Sequence, residues 1–199
     1  MDRGYVHVYT GRGKGKTTAA IGLCVRALGA GLSVFFGQFV KGMRYSEIVA
    51  LETLAAAIDQ KRSFEDGDLE ASPARGPGVR LAPRLEIRQF GRGCFILREP
   101  EAADIEAARK GFQESREAML SGRYDLVVLD EINIAVEKGL VEEAALLELV
   151  AEKPENAELV LTGRYARESV IEAADLVTEM RELKHYYSRG VEAREGIER

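Results

Sequence analysis

The chain has 199 residues, a formal net charge of −5, 46% apolar residues and two cysteines, with a pI near 5.3. That size suits one α/β domain with a full core, and the acidic balance argues against nucleic acid as the bulk partner. No apolar run is long enough to cross a membrane and Met1-Asp2-Arg3 leads straight into an apolar run, so a cytoplasmic protein with neither signal peptide nor membrane anchor is expected.

Residues 5–9 predict the first strand. The stretch Thr10-Gly11-Arg12-Gly13-Lys14-Gly15-Lys16-Thr17-Thr18 follows. After it, apolar residues at Ala19, Leu23 and Ala27 recur at helical spacing, predicting a helix from Lys16 to about Leu28 that Gly29 and Gly31 terminate. Strand, glycine-rich loop and helix in that order are the context of a phosphate-binding loop. The glycines let backbone N–H groups turn inward, the helix N-terminus adds its positive dipole end, and Lys16 adds a full charge. Thr17 would offer a hydroxyl to Mg²⁺. The loop departs from the standard G-x-x-x-x-G-K-[ST] pattern, because Thr10 holds the first position and glycine comes one residue later. A basic turn that binds nothing is the plainer alternative, and the flanking strand and helix argue against it.

Residues 33–39 form an uninterrupted apolar run, the pattern of a strand covered on both faces of a parallel sheet. Such a strand ends at the sheet edge where ligands sit, which makes Lys41 a second phosphate candidate. A helix is expected over 44–57, with Ile48, Leu51, Leu54 and Ala55 on one face. Residues 59–83 hold three of the five prolines and several glycines, and predict an irregular insertion. Residues 85–90 predict a third strand, leading into Gly91-Arg92-Gly93-Cys94-Phe95-Ile96. A helix after Pro100 to Leu120 turns Ile105, Ala108, Phe112 and Met119 inward. The strand at 125–130 ends in Asp130-Glu131, and carboxylates there, about a hundred residues after the phosphate loop, form the usual second half of a nucleotide site with Mg²⁺.

A helix over 141–151 and a strand over 158–161 follow; Thr162-Gly163-Arg164 then delivers a basic group to the same sheet edge. Residues 167–174 predict the last helix and 176–180 the last strand. Residues 181–199 form a polar tail in which His185 either lines a site or faces solvent, while His7, in the first strand, reads as structural. Cys24 and Cys94 have no pair spacing, which argues against a disulfide framework and a zinc site; Cys24 reads as a core residue. With no internal repeat, residues 1–199 read as one domain. Its parallel sheet of about five or six strands carries helices on both faces through right-handed crossovers.

The set TGRGKGKTTAAIG, VFFGQFVKG, FGRGCF, YDLVVLDEIN, LVLTGRYA and KHYYSRGVEAREGIER resembles the P-loop family of ATP:corrinoid adenosyltransferases of the CobA/CobO type. The match runs in order over nearly the whole chain, 59–83 excepted. It implies a RecA-like P-loop NTPase fold. It also implies transfer of the 5′-deoxyadenosyl group of ATP to cobalt(I) of a corrinoid such as cobalamin, with release of triphosphate, in a homodimer. Carried over, Gly11, Arg12, Gly13, Lys14, Gly15, Lys16, Thr17 and Thr18 would cradle the triphosphate, with ATP reversed from its usual direction in the loop. Thr17 and Glu131 would hold Mg²⁺, with Asp130 a further candidate. Lys16, Lys41 and Arg164 would stabilise the departing triphosphate. No general base is expected, because cobalt(I) is already a strong nucleophile.

The family eases reduction of cob(II)alamin, which requires a reductant such as a flavoprotein, by displacing the lower axial ligand with apolar side chains. In its best-known members a phenylalanine and a tryptophan do this after a Gly-x-Gly turn. Here Cys94-Phe95-Ile96 follow that turn and the chain has no tryptophan, so the corrin-facing patch is expected from Phe90, Cys94, Phe95 and Ile96. Some relatives also carry an extra helical arm ahead of the first strand. Two other readings fit parts of the pattern: a P-loop ATPase or nucleotide-dependent switch acting on a partner, and a non-catalytic corrinoid carrier. The loop departure, FGRGCF and TGR segments weigh against the first, and the complete phosphate site against the second.

Overall fold

The computed structural model describes residues 2–67, 83–91 and 99–198. The apolar runs become β1 (Val6–Thr10), β2 (Val34–Phe39), β3 (Leu85–Phe90), β4 (Leu126–Asp130), β5 (Glu158–Thr162) and β6 (Leu176–Glu179). They form one sheet in the order β3-β2-β4-β5-β1-β6, every pairing parallel. Parallel neighbours need crossovers, here supplied by α1 (Lys16–Gly29), α2 (Ser46–Gly67), α3 (Ala102–Leu120), α4 (Ile132–Glu137), α5 (Glu143–Glu152) and α6 (Glu168–Ala173).

The helices divide between the two faces. Ala20, Cys24, Ala27 and Leu28 of α1 and Ile48 and Leu51 of α2 pack on Val34, Phe36, Leu126, Val128 and Val160. On the other face Ala108, Phe112 and Met119 of α3, Ile132, Ile134, Ala135 and Val136 of α4 and Leu146 and Leu149 of α5 pack on Phe35, Val127, Leu129, Leu159 and Leu161. Every residue of β2 and β4 is therefore buried, and their largely apolar sequence, interrupted by Gln38 and Asp130 near the strand ends, is what two covered faces demand. Burial of this kind contributes roughly 25 cal/mol for each Å² of apolar surface. None of the described helices is long and apolar enough to cross a membrane.

One expectation needs correction and one element escaped prediction. The second helix does not stop near residue 57 but runs to Gly67, so the first part of the expected irregular insertion is helical; residues 68–82 lie outside the described set. Its continuation carries Gln60, Lys61 and Arg62, good helix formers that composition-based reading of the whole stretch obscured. In α1 the buried face is built on Ala20 and Cys24, with Ala19 exposed. The short α4 is six residues long, less than the two turns a 3.6-residue period needs to show itself.

Two features of the sheet bear on the site. β5 lies between β1, which carries the glycine loop, and β4, which carries the acidic pair. At the β3 side, Phe90 fills the space beside Gly111 of α3, where a Cβ would lie 2.1 Å from the Phe90 ring.

Candidate active site

Three non-glycine residues have positive φ among the described residues: Val40 (62°), Glu131 (60°) and Tyr165 (62°). They follow the ends of β2, β4 and β5, so strain concentrates along one edge of the sheet. At Val40 the Lys41 N–H bonds the Phe39 carbonyl at 2.7 Å, a tight turn that brings the buried Lys41 ammonium to 3.7 Å from Asp130 and 3.8 Å from Glu131.

The glycine loop connects β1 to α1, and Gly15 at φ 108° caps the helix in a conformation that side chains resist. Gly11 shares that conformation at φ 95°, and both it and Gly13 answer to a further constraint. A Cβ on either would lie 2.5 Å or 2.8 Å from the Met180 carbonyl oxygen. The Gly13 N–H donates to that oxygen at 2.7 Å, and the Met180 N–H donates to Thr10 O at 2.8 Å. The loop is thus stitched to the chain leaving β6. Thr10 needs no glycine because it still belongs to β1, and its hydroxyl accepts from the Ala166 N–H at 3.4 Å.

Lys16 is buried and donates to Gly11 O at 2.9 Å and Gly13 O at 2.7 Å, filling the space that the loop encloses. Burial pulls its pKa down, and the negative charge of Glu131 opposes that pull. Lys14 turns the other way, donating to Tyr186 Oη at 3.1 Å and Glu198 Oε1 at 2.8 Å. Arg12 and Thr18 are exposed. Of the expected cradle, Lys16 and Thr17 face the acidic pair, while Gly13 and Lys14 are engaged by the C-terminal segment.

Asp130 and Glu131 have opposite surroundings. Asp130 is fully buried and accepts from Thr17 Oγ1 at 2.9 Å, Thr162 Oγ1 at 2.6 Å and Gln38 Nε2 at 3.0 Å. Glu131 is 7% exposed, yet its Oε2 has no hydrogen-bond partner. Burial first, and then the neighbouring Asp130 charge, push the Glu131 pKa up, while Lys41, Lys16 and Arg164 counter the shift. A buried carboxylate oxygen without a partner is costly unless a ligand meets it. The Thr17 hydroxyl donates its one proton to Asp130, which leaves its lone pairs free for a cation. Among the described residues no cluster of three His, Cys, Asp or Glu forms a protein-only metal cage. One open carboxylate oxygen and one hydroxyl suit a hard cation that takes its remaining oxygen ligands from phosphates and water.

Arg164 is exposed after β5, near enough to influence both Lys16 and Glu131. Of the four residues expected against a corrin, only Phe90 is described. Its ring packs on Phe39, centroids 5.1 Å apart, and over Gly111, which commits it to the core beneath α3. Cys94, Phe95 and Ile96 lie outside the described residues. His7 is structural, 2.6 Å from Glu158. His185 accepts from the Tyr187 N–H in the tail. Sequence reading passed over Thr162, Gln38 and Asn133, whose buried Nδ2 lacks a partner. A glutamine inside VFFGQF was the available signal.

The chain matches the family described as ATP:corrinoid adenosyltransferase BtuR/CobO/CobP over residues 2–199. It is similar to a corrinoid adenosyltransferase of Sinorhizobium sp., with 33% identity over 99% of this chain and 81% of that protein. It is also similar to one of Pseudomonas aeruginosa, with 32% identity over 99% of this chain and 84% of that protein. A corrinoid adenosyltransferase of Escherichia coli K12 is 28% identical over 99% of this chain and 86% of its own length.

Proposed function

The chain belongs to the ATP:corrinoid adenosyltransferase family, and we propose that it grips the triphosphate of ATP as a leaving group while cobalt(I) of the corrinoid attacks C5′. Its activity is that of an ATP:corrinoid adenosyltransferase, with ATP and a corrinoid as substrates. In the proposed step cobalt(I) supplies the electron pair of the new cobalt–carbon bond. The C5′–O bond breaks, and its pair departs on the triphosphate. The nucleophile carries no proton to remove, so the protein's work is alignment and stabilisation of the charge that gathers on the leaving group.

The observation that carries this reading is the gathering of Lys16, Lys41 and Arg164 about Glu131, whose Oε2 is buried and unpartnered. Lys16 exchanges its contacts with Gly11 O and Gly13 O for phosphate oxygens. Lys41 and Arg164 take the outer oxygens, with ATP lying in the reverse of the usual direction. Thr17 and Glu131 would hold Mg²⁺, which when bound would neutralise triphosphate charge; Asp130 stands behind them as the acceptor that orients the Thr17 hydroxyl. Cys94, Phe95 and Ile96 make the apolar contact to the corrin, and Phe90 anchors the strand they leave. A homodimer and a reductant such as a flavoprotein complete the proposal.

Incubation with ATP, Mg²⁺, cob(II)alamin and a reductant tests the proposal through both products. Adenosylated corrinoid with triphosphate, each absent when the corrinoid is omitted, is the expected result. ADP and phosphate released without corrinoid would instead favour the ATPase reading.

A further inference from the structure

Gln38 is fully buried in β2, and no part of the reaction described so far uses it. It pairs in register with Gln89 of β3 on one side and with Asp130 of β4 on the other. The three side chains form a polar row across three adjacent strands at the sheet edge that carries the site. The direction of each bond in this row follows from a fixed point. Met43 O is a backbone carbonyl and only accepts, so the Gln89 atom 3.0 Å from it is its amide nitrogen. That nitrogen donates its other proton to Gln38 Oε1 at 2.8 Å. Gln38 must therefore turn Nε2 toward Asp130 Oδ2, at 3.0 Å. Its contact with Asp130 cannot be inverted without also breaking the bond to Gln89.

We propose that Gln38 is a positioning residue for the nucleotide's metal-dependent grip: locked by Gln89, it holds the Asp130 carboxylate so that Oδ1 takes the protons of Thr17 and Thr162 and leaves the Thr17 lone pairs facing the triphosphate. Asp130 Oδ1 accepts from Thr17 Oγ1 and Thr162 Oγ1 at 2.9 Å and 2.6 Å. The Thr162 hydroxyl in turn accepts the N–H of Glu131 at 3.0 Å. One carboxylate orientation thus sets both the hydroxyl of Thr17 and the backbone of Glu131. Without the Gln38 donor, Oδ2 is left buried with Lys41 as its nearest charge, 3.7 Å away, and the carboxylate turns toward it. This inference rests on the triphosphate site of the preceding section but not on transfer to a corrinoid.

The test is calorimetric titration of ATP, with and without Mg²⁺, into the wild type, Gln38→Leu, Gln38→Asn and Gln89→Leu. A hydrogen bond to a charged group is worth enough to change affinity by roughly tenfold to a hundredfold. Gln38→Leu is expected to weaken Mg·ATP binding by about that factor while Mg-free ATP stays within about twofold, because Lys16 and the loop amides are untouched. Gln38→Asn, which keeps the amide, should recover part of the loss. Gln89→Leu, at a half-buried position, should give a smaller loss in the same direction. Equal losses with and without Mg²⁺, or no loss in either glutamine variant, would overturn the proposal. If Gln38→Leu fails to fold, Gln89→Leu alone decides by the same comparison. Because no corrinoid enters the titration, failure of adenosyl transfer in a separate assay bears on the proposed function and not on this result.

Discussion

Gly91 presses on Lys41 so closely that a Cβ added to it would stand 2.5 Å from the Lys41 carbonyl carbon and 2.6 Å from its nitrogen and oxygen. The end of β3 is therefore packed directly on the residue that addresses both carboxylates of the site. Gly91→Ala is expected to shift Lys41 while the sheet persists. Displacement of a positioning group by about 1 Å can cost up to a hundredfold in rate. The variant should show unchanged circular dichroism with kcat/KM for ATP lowered about tenfold or more, and wild-type kinetics would show that the contact does not position Lys41.

Burial of Glu131 bears on stability. Its folded-state pKa is raised by burial and by Asp130, so the fold prefers the protonated acid. The corresponding stability is present below the ordinary carboxylate pKa and is lost as pH rises through the folded value. Glu131→Gln escapes that loss. In metal-free protein at pH 8 the variant should melt a few degrees above the wild type, at about 2–4 °C per kcal/mol, with the gap narrowing toward about pH 4. Its transferase activity should be lost. A variant that melts lower than the wild type at pH 8 contradicts this account.

How much of this was legible in the sequence depended on the range of the interaction. The strands β2 and β4 announced themselves because both faces are covered, and Lys16, Thr17 and the acidic pair because a local pattern carries them. The partners of Lys14 sit at positions 186 and 198, brought to the loop by β6 and the turn after it. The Gln89–Gln38–Asp130 row depends on strand order and register, which no local spacing encodes. Gly11 and Gly13 were legible as glycines for only part of the cause: Gly11 takes the positive φ of 95° that such a loop needs, but Met180 also crowds it, and Met180 and Arg181 crowd Gly13.

That cause is testable at Gly13, whose φ is not positive. Gly13→Ala should destabilise the protein through crowding against Met180 O and Arg181, 2.8–3.0 Å from the added carbon. Strain of this kind costs about 1–3 kcal/mol, or roughly 2–12 °C in Tm for a chain of this size. The loss should appear without nucleotide. An unchanged Tm combined with weakened ATP binding would return Gly13 to a purely phosphate-binding role.

Lys14 holds the tail through Tyr186 and Glu198, whose carboxyl it keeps below the usual range by hydrogen bonding. Lys14→Met should speed amide exchange across residues 186–198 with little change in α1. In the wild type the same loosening should appear on acidification, since a depressed carboxyl pKa gives a contact that is lost as pH falls through it. Unaltered exchange in the variant would show that Lys14 does not fasten the tail.

The central claim is that carbon, not phosphorus, is attacked. Single-turnover reaction of pre-reduced corrinoid with ATP carrying ¹⁸O at the oxygen that bridges C5′ and the α-phosphorus tests it most directly. The account predicts that all of the label departs in triphosphate as cobalt becomes alkylated. Label remaining with the adenosyl product, or triphosphate absent while ADP accumulates, would contradict it.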